Sequence, residues 1–391
     1  MRKSVNEVKF DFDDLLITPK SRTTIASRYS DVNPYYGDSE DLWLPLITAP
    51  MDTVVSLENM ATFRASNINV ALPRTIHYDL LHGMYDEPMV DSGLPFPEHT
   101  FISLGLTDMQ HIIDHPDDYD YLTGDLFLLD VANGHMQIVY DTAQAFKEAF
   151  PETKIMVGNI ANPETYEWYA RSGFIDFVRI GIGNGNACLT TKQTSIGYPK
   201  ASLIRECYEV KQTLGDEIDE QWASYNNPDY RILQLKKPDI TREQLPKIVA
   251  DGGIKDYSDI IKALALGADY VMAGSIFNKA LESAGQDYLY NIKISRKLAK
   301  RFFGWGFPVK KDFYGMSTKV AQKKMGKTKL KTSEGVVRKL KVEYTLQSWT
   351  ENFEHYLITA MSYSNARNLK EFVGKADFNL ITENAFNRFN K

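Results

Sequence analysis

Cys188 stands in the run GIGNGNACLTT (181–191), where glycines at 181, 183 and 185 permit tight turns and a close approach of backbone to a ligand. A thiol carried past such a turn is presented to a pocket mouth. Cysteine is also the side chain with the most available nucleophile near neutral pH, because a few per cent of it is already thiolate. The competing reading is a buried small hydrophobe, the commonest fate of a lone cysteine. Cys207, in the helical run SLIRECYEV, suits that second reading. Two cysteines cannot build a disulfide framework, and they point to a reducing compartment.

Two further runs could bind an anion. ADGGIKD (250–256) and AGSIF (273–277) each carry an apolar stretch into Gly-Gly or Gly-Ser. Backbone N–H groups at such turns, next to a helix start, suit phosphate. Asp251 on the first turn could accept hydrogen bonds from ribose hydroxyls, or it could simply cap the following helix. GIGNG is not a dinucleotide fingerprint, since it lacks the GxxG spacing and a distant acidic partner, so a nicotinamide cofactor would have to be held another way.

These residues need elements to position them. Eight short apolar runs recur: PLITAPM (45–51), NVALPR (69–74), TFISLG (100–105), LFLLDVA (126–132), KIMVGNI (154–160), FVRIGI (177–182), KIVADGG (247–253) and YVMAGS (270–275). Near-continuous apolar runs are what parallel strands buried on both faces require. Amphipathic stretches such as MQIVYDTAQAFKEAF and DYSDIIKALALGA lie between them. Eight strand–helix units predict a (β/α)8 TIM barrel, with a doubly wound open sheet as the rival. In a barrel the chemistry sits on loops at the C-terminal strand ends, where Asp52, Asp130, Asn133, Gly134, Gly158, Asn159, Asp251 and Gly274 fall. Two stretches exceed a minimal barrel. Residues 208–245 read as a long charged insertion between the sixth helix and the seventh strand, and 284–312 as another. The basic region at about 313–345 reads as either a solvated face or a mobile flap over an anionic ligand.

The 391 residues carry a net charge of −6, which excludes the chain as a whole from nucleic-acid binding. No run of 18 apolar residues occurs, so no membrane span is expected, and the start MRKSVNEVKFDFDD lacks the apolar core of a signal peptide. The expectation is a cytoplasmic enzyme made of one catalytic barrel over 1–391.

Taken in order, FDFDDLLITPKS, APMDTV, DVANGH, MVGNI, GIGNGNACLTTKQTSIGYP, ADGGIKD, VMAGS, FYGMST and SEG resemble the IMP dehydrogenase and GMP reductase family. DVANG, IGYP and FYGMS look like its reductase branch. Residues 75–99 are too few to hold the paired regulatory modules that the dehydrogenases insert after the second strand.

The resemblance implies an NADPH-dependent conversion of GMP, or a close purine nucleotide, to IMP and ammonia. It gives Cys188 the attack on C2 of the purine through a covalent thioimidate, and Thr190 and Glu334 the proton of the leaving amine. It places Asp251, Gly252, Gly253, Gly274 and Ser275 at ribose and phosphate. Tyr314, Gly315, Met316 and Ser317 fall around phosphate and base, and Asn186 stands where the family has a phosphate-binding serine. Asp52, Asp130, Asn133 and Gly134 fall near the nicotinamide. Gly181 and Gly183 match a loop that can hold K+ through carbonyl oxygens. A homotetramer is implied, with 357–369 lending residues to a neighbouring cofactor site. Departures ring the site: Asn184, Leu189, Thr191, Lys331 and PRTIHY at 73–78 replace usual residues. Two other readings remain open at this point, a dehydrogenase without regulatory modules that oxidises IMP with NAD, and a non-catalytic purine-nucleotide binder.

Overall fold

The computed structural model describes residues 8–37, 41–76, 99–119, 122, 126–185, 189–227, 236–325 and 335–389. All eight apolar runs form parallel strands: Leu46–Thr48, Val70–Leu72, Thr100–Leu104, Leu126–Asp130, Lys154–Ile160, Phe177–Ile180, Lys247–Asp251 and Tyr270–Ala273. They are called here the first to eighth barrel strands. From the second to the eighth each pairs with its sequence neighbour, and the eighth pairs with the first. The ring is completed between the first and second strands by a parallel bridge, Ile47 to Asn69, and by the Thr48 amide donating to the Asn69 carbonyl at 2.9 Å. The rival open sheet is excluded, and the fold is a (β/α)8 barrel.

Strand residues alternate between two cores, as the period of two demands. Ile47, Ala71, Phe101, Leu128, Met156, Val249 and Met272 fill the barrel interior, together with Phe177 and Tyr270. Their neighbours Leu46, Val70, Ile102, Leu129, Val157, Val178, Ile248 and Val271 face outward against the helices. Fully burying side chains of this size stabilises the fold by about 1.5–3 kcal/mol each. Arg179 lies two residues beyond Phe177 and so shares its inward face, one layer nearer the C-terminal mouth.

Helices follow the strands at Met60–Arg64, Leu106–Asp114, Gln137–Ala149, Pro163–Ala170, Lys200–Asn226, Tyr257–Leu266 and Ser275–Asn278. Local sequence starts them in two clear cases. The Asn162 side chain accepts from the Glu164 amide ahead of Pro163, and the Asp256 side chain accepts from Asp259. The helix Leu346–Tyr363, beyond the barrel, buries Trp349, Phe353, Leu357 and Met361 against the barrel helices.

Two expectations about the long stretches change. The segment read as an insertion from 208 is helical as far as Asn226, because the sixth barrel helix runs unbroken for 27 residues from Lys200. Its exposed face is laced with charged pairs such as Arg205–Glu209, 2.8 Å apart at i, i+4. Residues 284–312 and the start of the supposed flap form a second, antiparallel sheet. Its strands are Ile292–Lys293, Asp287–Leu289, Val309–Phe313 and Arg338–Lys341, in that spatial order. Leu281, Ala299, Val309 and Val342 make a small separate core beside it. The region expected as a flap at 313–345 thus has both ends in paired strands, with a short helix Lys319–Lys324 between them; its centre, 326–334, lies outside the described residues.

Candidate active site

A cleft opens at the C-terminal end of the barrel, the end where barrel loops gather ligand-binding groups. It holds about 1190 Å³ of empty space including its open mouth. Most of the polar and glycine-rich strand ends singled out in the sequence meet in it. Thr190, Asp251, Gly252, Gly253, Gly274, Ser275, Gly315, Met316 and Ser317 line it. So do Asp130, Asn159, Arg74, Arg179, Gly181 and Gly183.

The loops owe their shape to glycine at a few positions. Gly252 and Gly253 have φ of +77° and +75°, a region that side-chain-bearing residues rarely enter. A Cβ on Gly252 would come within 3.2 Å of the Gly185 nitrogen, so the turns after the sixth and seventh strands pack directly on each other. Asp251 does not cap the next helix, since Asp256 does.

A chain of charges crosses the floor of the cleft. Arg179 donates to Asp130 at 2.6 Å and to Asp251 at 2.9 and 3.0 Å. Arg74 meets the other Asp130 oxygen at 2.9 Å. Asn159 donates to Asp251 and to the Gly181 carbonyl, at 2.9 and 2.8 Å. Burial pushes the Asp130 carboxyl up, but the Arg74 and Arg179 charges outweigh it and hold the group below the ordinary aspartate value. Burial acts to lower Arg179, and its two aspartates reverse that and raise it. Asn159 and Arg179 both reach the Asp251 carboxylate through Oδ2.

Below the two packed turns sits Lys200, the first residue of the long helix and 1% exposed. Its Nζ donates to the carbonyls of Ile180, at 3.1 Å, and Asp251, the last residues of the sixth and seventh strands. Burial pushes its ammonium down to about 8, against the pull of Asp251 and Asp11. Lys200 and Arg179 were not singled out from sequence; Asn159 was named only as a strand-end residue and Arg74 only as part of PRTIHY. The available signal for Arg179 was a lone cation inside an otherwise apolar strand, FVRI.

Four sequence-selected residues stand off the cleft wall. Asp52 is nearly buried and pairs with Lys324 at 3.3 Å and with the Thr75 hydroxyl. Tyr314 is buried beside Lys324, whose Nζ lies 5.6 Å from its ring centre. Asn133 is exposed and accepts from the His135 amide, and Gly134 is buried behind the wall, its carbonyl taken by the Tyr169 hydroxyl at 2.7 Å. Cys188, Asn186 and Glu334 lie outside the described residues. Their neighbours do not: Gly185 and Thr190 bracket the cysteine at the cleft, and Gly335 follows the glutamate.

The two groups implied by the resemblance fare differently. Asp130, expected near the nicotinamide, and its chain neighbours Val131 and Ala132 line the cleft, with Arg74 beside them, so the residues at this wall are compatible with that ring. The K+ site does not fit as expected. The Gly181 carbonyl is engaged by Asn159, and a Cβ on Gly181 would collide with Lys200 Nζ, so a cation is already built in at that turn. No described helix is long and apolar enough to cross a membrane.

The chain matches the domain family described as IMP dehydrogenase / GMP reductase over residues 114–219 and 234–389. It is 28% identical to the protein named GMP reductase of Caenorhabditis elegans, across 98% of this chain and 95% of that one. It is 26% identical to GMP reductase of Shewanella pealeana, across 98% of both chains, and 26% identical to GMP reductase 2 of Homo sapiens, across 97% and 96%. With a closed barrel, a cleft at its C-terminal mouth and that match over most of its length, the chain is an oxidoreductase that belongs to the IMP dehydrogenase / GMP reductase family.

Proposed function

We propose that the protein reduces GMP, or a close purine nucleotide, to IMP with release of ammonia, using NADPH. The carrying observation is the convergence of the Gly252–Gly253, Gly274–Ser275 and Gly315–Ser317 turns with Asp251 and Thr190 on one cleft, in a chain alike over nearly its whole length to proteins named GMP reductase. The homotetramer implied by the family resemblance is part of this proposal.

Asp251, held by Arg179 and Asn159 through Oδ2, presents its carboxylate to a ribose hydroxyl. The backbone amides of the glycine turns take the phosphate, where only glycine lets the main chain come so close. Cys188, carried just past Gly185, attacks C2 of the purine as thiolate. The C2–N bond then breaks, and ammonia leaves with a proton handled by Thr190 and Glu334, because an amine departs poorly without one. A thioimidate links Cys188 to C2. NADPH, when bound, supplies the hydride that C2 takes up as the carbon–sulfur bond breaks and the thiolate returns. Arg74 and Asp130 shape the wall on which the nicotinamide would rest.

The test is a matrix of purine ribo- and deoxynucleoside monophosphates against NADPH, NADH, NADP+ and NAD+. Consumption of NADPH with GMP or its deoxy form is the expected signal. Reduction of NAD+ with IMP, and no reaction in the other direction, would assign the chain to the dehydrogenase reaction instead.

A further inference from the structure

We infer that Lys200 is the resident cation of this site, and that the chain binds no monovalent metal ion on the Ile180, Gly181 and Asp251 carbonyls where the turns leave the sixth and seventh barrel strands. Main-chain carbonyls at the ends of adjacent parallel strands point the same way and gather partial negative charge. Here the Ile180 and Asp251 carbonyls converge on one ammonium, and a third, that of Gly181, is taken by the Asn159 amide. The carboxylates of Asp251 and Asp11 lie near enough to favour the positive charge, and Arg179 opposes it. The Lys200 amide donates to Asp11 at 3.1 Å, which fixes the start of the helix and so the origin of the side chain.

The ammonium occupies the space beside Gly181. A single methyl at Gly181 would meet Nζ. An added metal ion on these carbonyls would have to sit beside a buried ammonium, where like charges repel strongly. Tethering the cation covalently also makes its occupancy independent of salt. Lys200 therefore acts as a positioning residue: it ties the sixth strand to the seventh at the point where the Gly181–Gly185 and Gly252–Gly253 turns leave them.

This inference stands apart from the identity of the substrate, and the first test uses no turnover. Thermal unfolding of the unliganded wild-type protein is measured in potassium, ammonium and choline chlorides at equal ionic strength, with Lys200→Ala alongside. The wild type is expected to show one Tm in all three. Lys200→Ala, with the carbonyls left unpaired, is expected to melt roughly 5–10 °C lower in choline and to recover part of that loss in ammonium or potassium. A wild-type Tm that rises selectively with potassium overturns the inference, as does a Lys200→Ala protein with the same Tm in every salt. If Lys200→Ala does not fold, thallium-205 NMR of the wild type decides. Absence of a bound thallium signal supports the inference, and a bound signal displaced by potassium contradicts it.

Discussion

Arg179 reaches Asp130 across a glycine: the two side chains meet at 2.6 Å, although the fifth barrel strand runs between the strands that carry them. The register makes this possible. Asp130 pairs with Gly158, and Gly158 pairs with Arg179, so the middle place in the row has no side chain. The guanidinium crosses that gap and goes on to Asp251, which joins the fourth, sixth and seventh strand ends at the mouth of the barrel.

Gly158 should therefore resist substitution. Its φ is +152°, and a Cβ would lie 2.4 Å from the Arg179 carbonyl oxygen and 2.6 Å from Arg179 Cβ. Neither neighbour is a flexible tip. Gly158→Ala is expected to destabilise the protein by at least about 1–3 kcal/mol, the usual cost of forcing atoms into a packed site. Urea unfolding of the variant against wild type measures it.

Removing the crossing cation should cost more. Arg179→Met leaves two carboxylates at the cleft floor without their main partner. Breaking such a buried network from one side typically costs about 3–5 kcal/mol. Arg179→Lys is expected to recover only part of this, since an ammonium cannot reach both aspartates in the forked geometry. Denaturant midpoints of the two variants give the comparison.

The eight barrel strands were legible in the sequence because burial on both faces writes an uninterrupted apolar run, as in LFLLD and KIMV. The second sheet was not. Its strands DYL, IK, VKKDF and RKLK are short, and all but the first carry lysines that interrupt any apolar run. The 27-residue helix was cut short at 208 in the reading because past Cys207 only Leu214, Gly215 and Ile218 are buried, which leaves a sparse apolar stripe. The glycine and aspartate turns could be named because a tight approach demands particular residue types. Lys200 and Arg74 could not, since only tertiary placement tells a buried cation from a surface one.

His135, in DVANGH, carries a pH dependence of stability. Its Nδ1 lies 2.8 Å from the Thr165 hydroxyl, and the Ala161 amide donates to Nε2 at 3.0 Å, so the neutral ring protonated on Nδ1 satisfies both contacts. Burial holds its pKa below the ordinary histidine value. The unfolded chain then binds the proton more readily than the folded one. The contribution is complete above about pH 6.5 and is lost as pH falls below it. His135→Gln should melt below wild type at pH 7.5, and the gap should narrow at pH 5.5. A gap that stays constant or widens on acidification would show that this ring is not the group responsible.

The nucleophile and the proton-handling pair should separate. Cys188→Ser is expected to abolish turnover while nucleotide binding persists, because most of the ribose and phosphate contacts lie on other loops and the loop itself is kept. Glu334→Gln should slow the reaction by roughly 10²- to 10⁴-fold, the usual size of one acid–base contribution, and should act on ammonia release rather than on the hydride step. Isothermal titration with GMP, followed by single-turnover ammonia and NADPH assays, separates these effects.

The most direct measurement is the stoichiometry of a single reaction. Purified wild-type protein is mixed with GMP and NADPH, and ammonia, IMP and oxidised cofactor are quantified together. One ammonia and one IMP for each NADPH consumed, with none of the three formed by Cys188→Ser, is the predicted result. NADPH oxidation without ammonia, or equal turnover by Cys188→Ser, would contradict the proposed reaction.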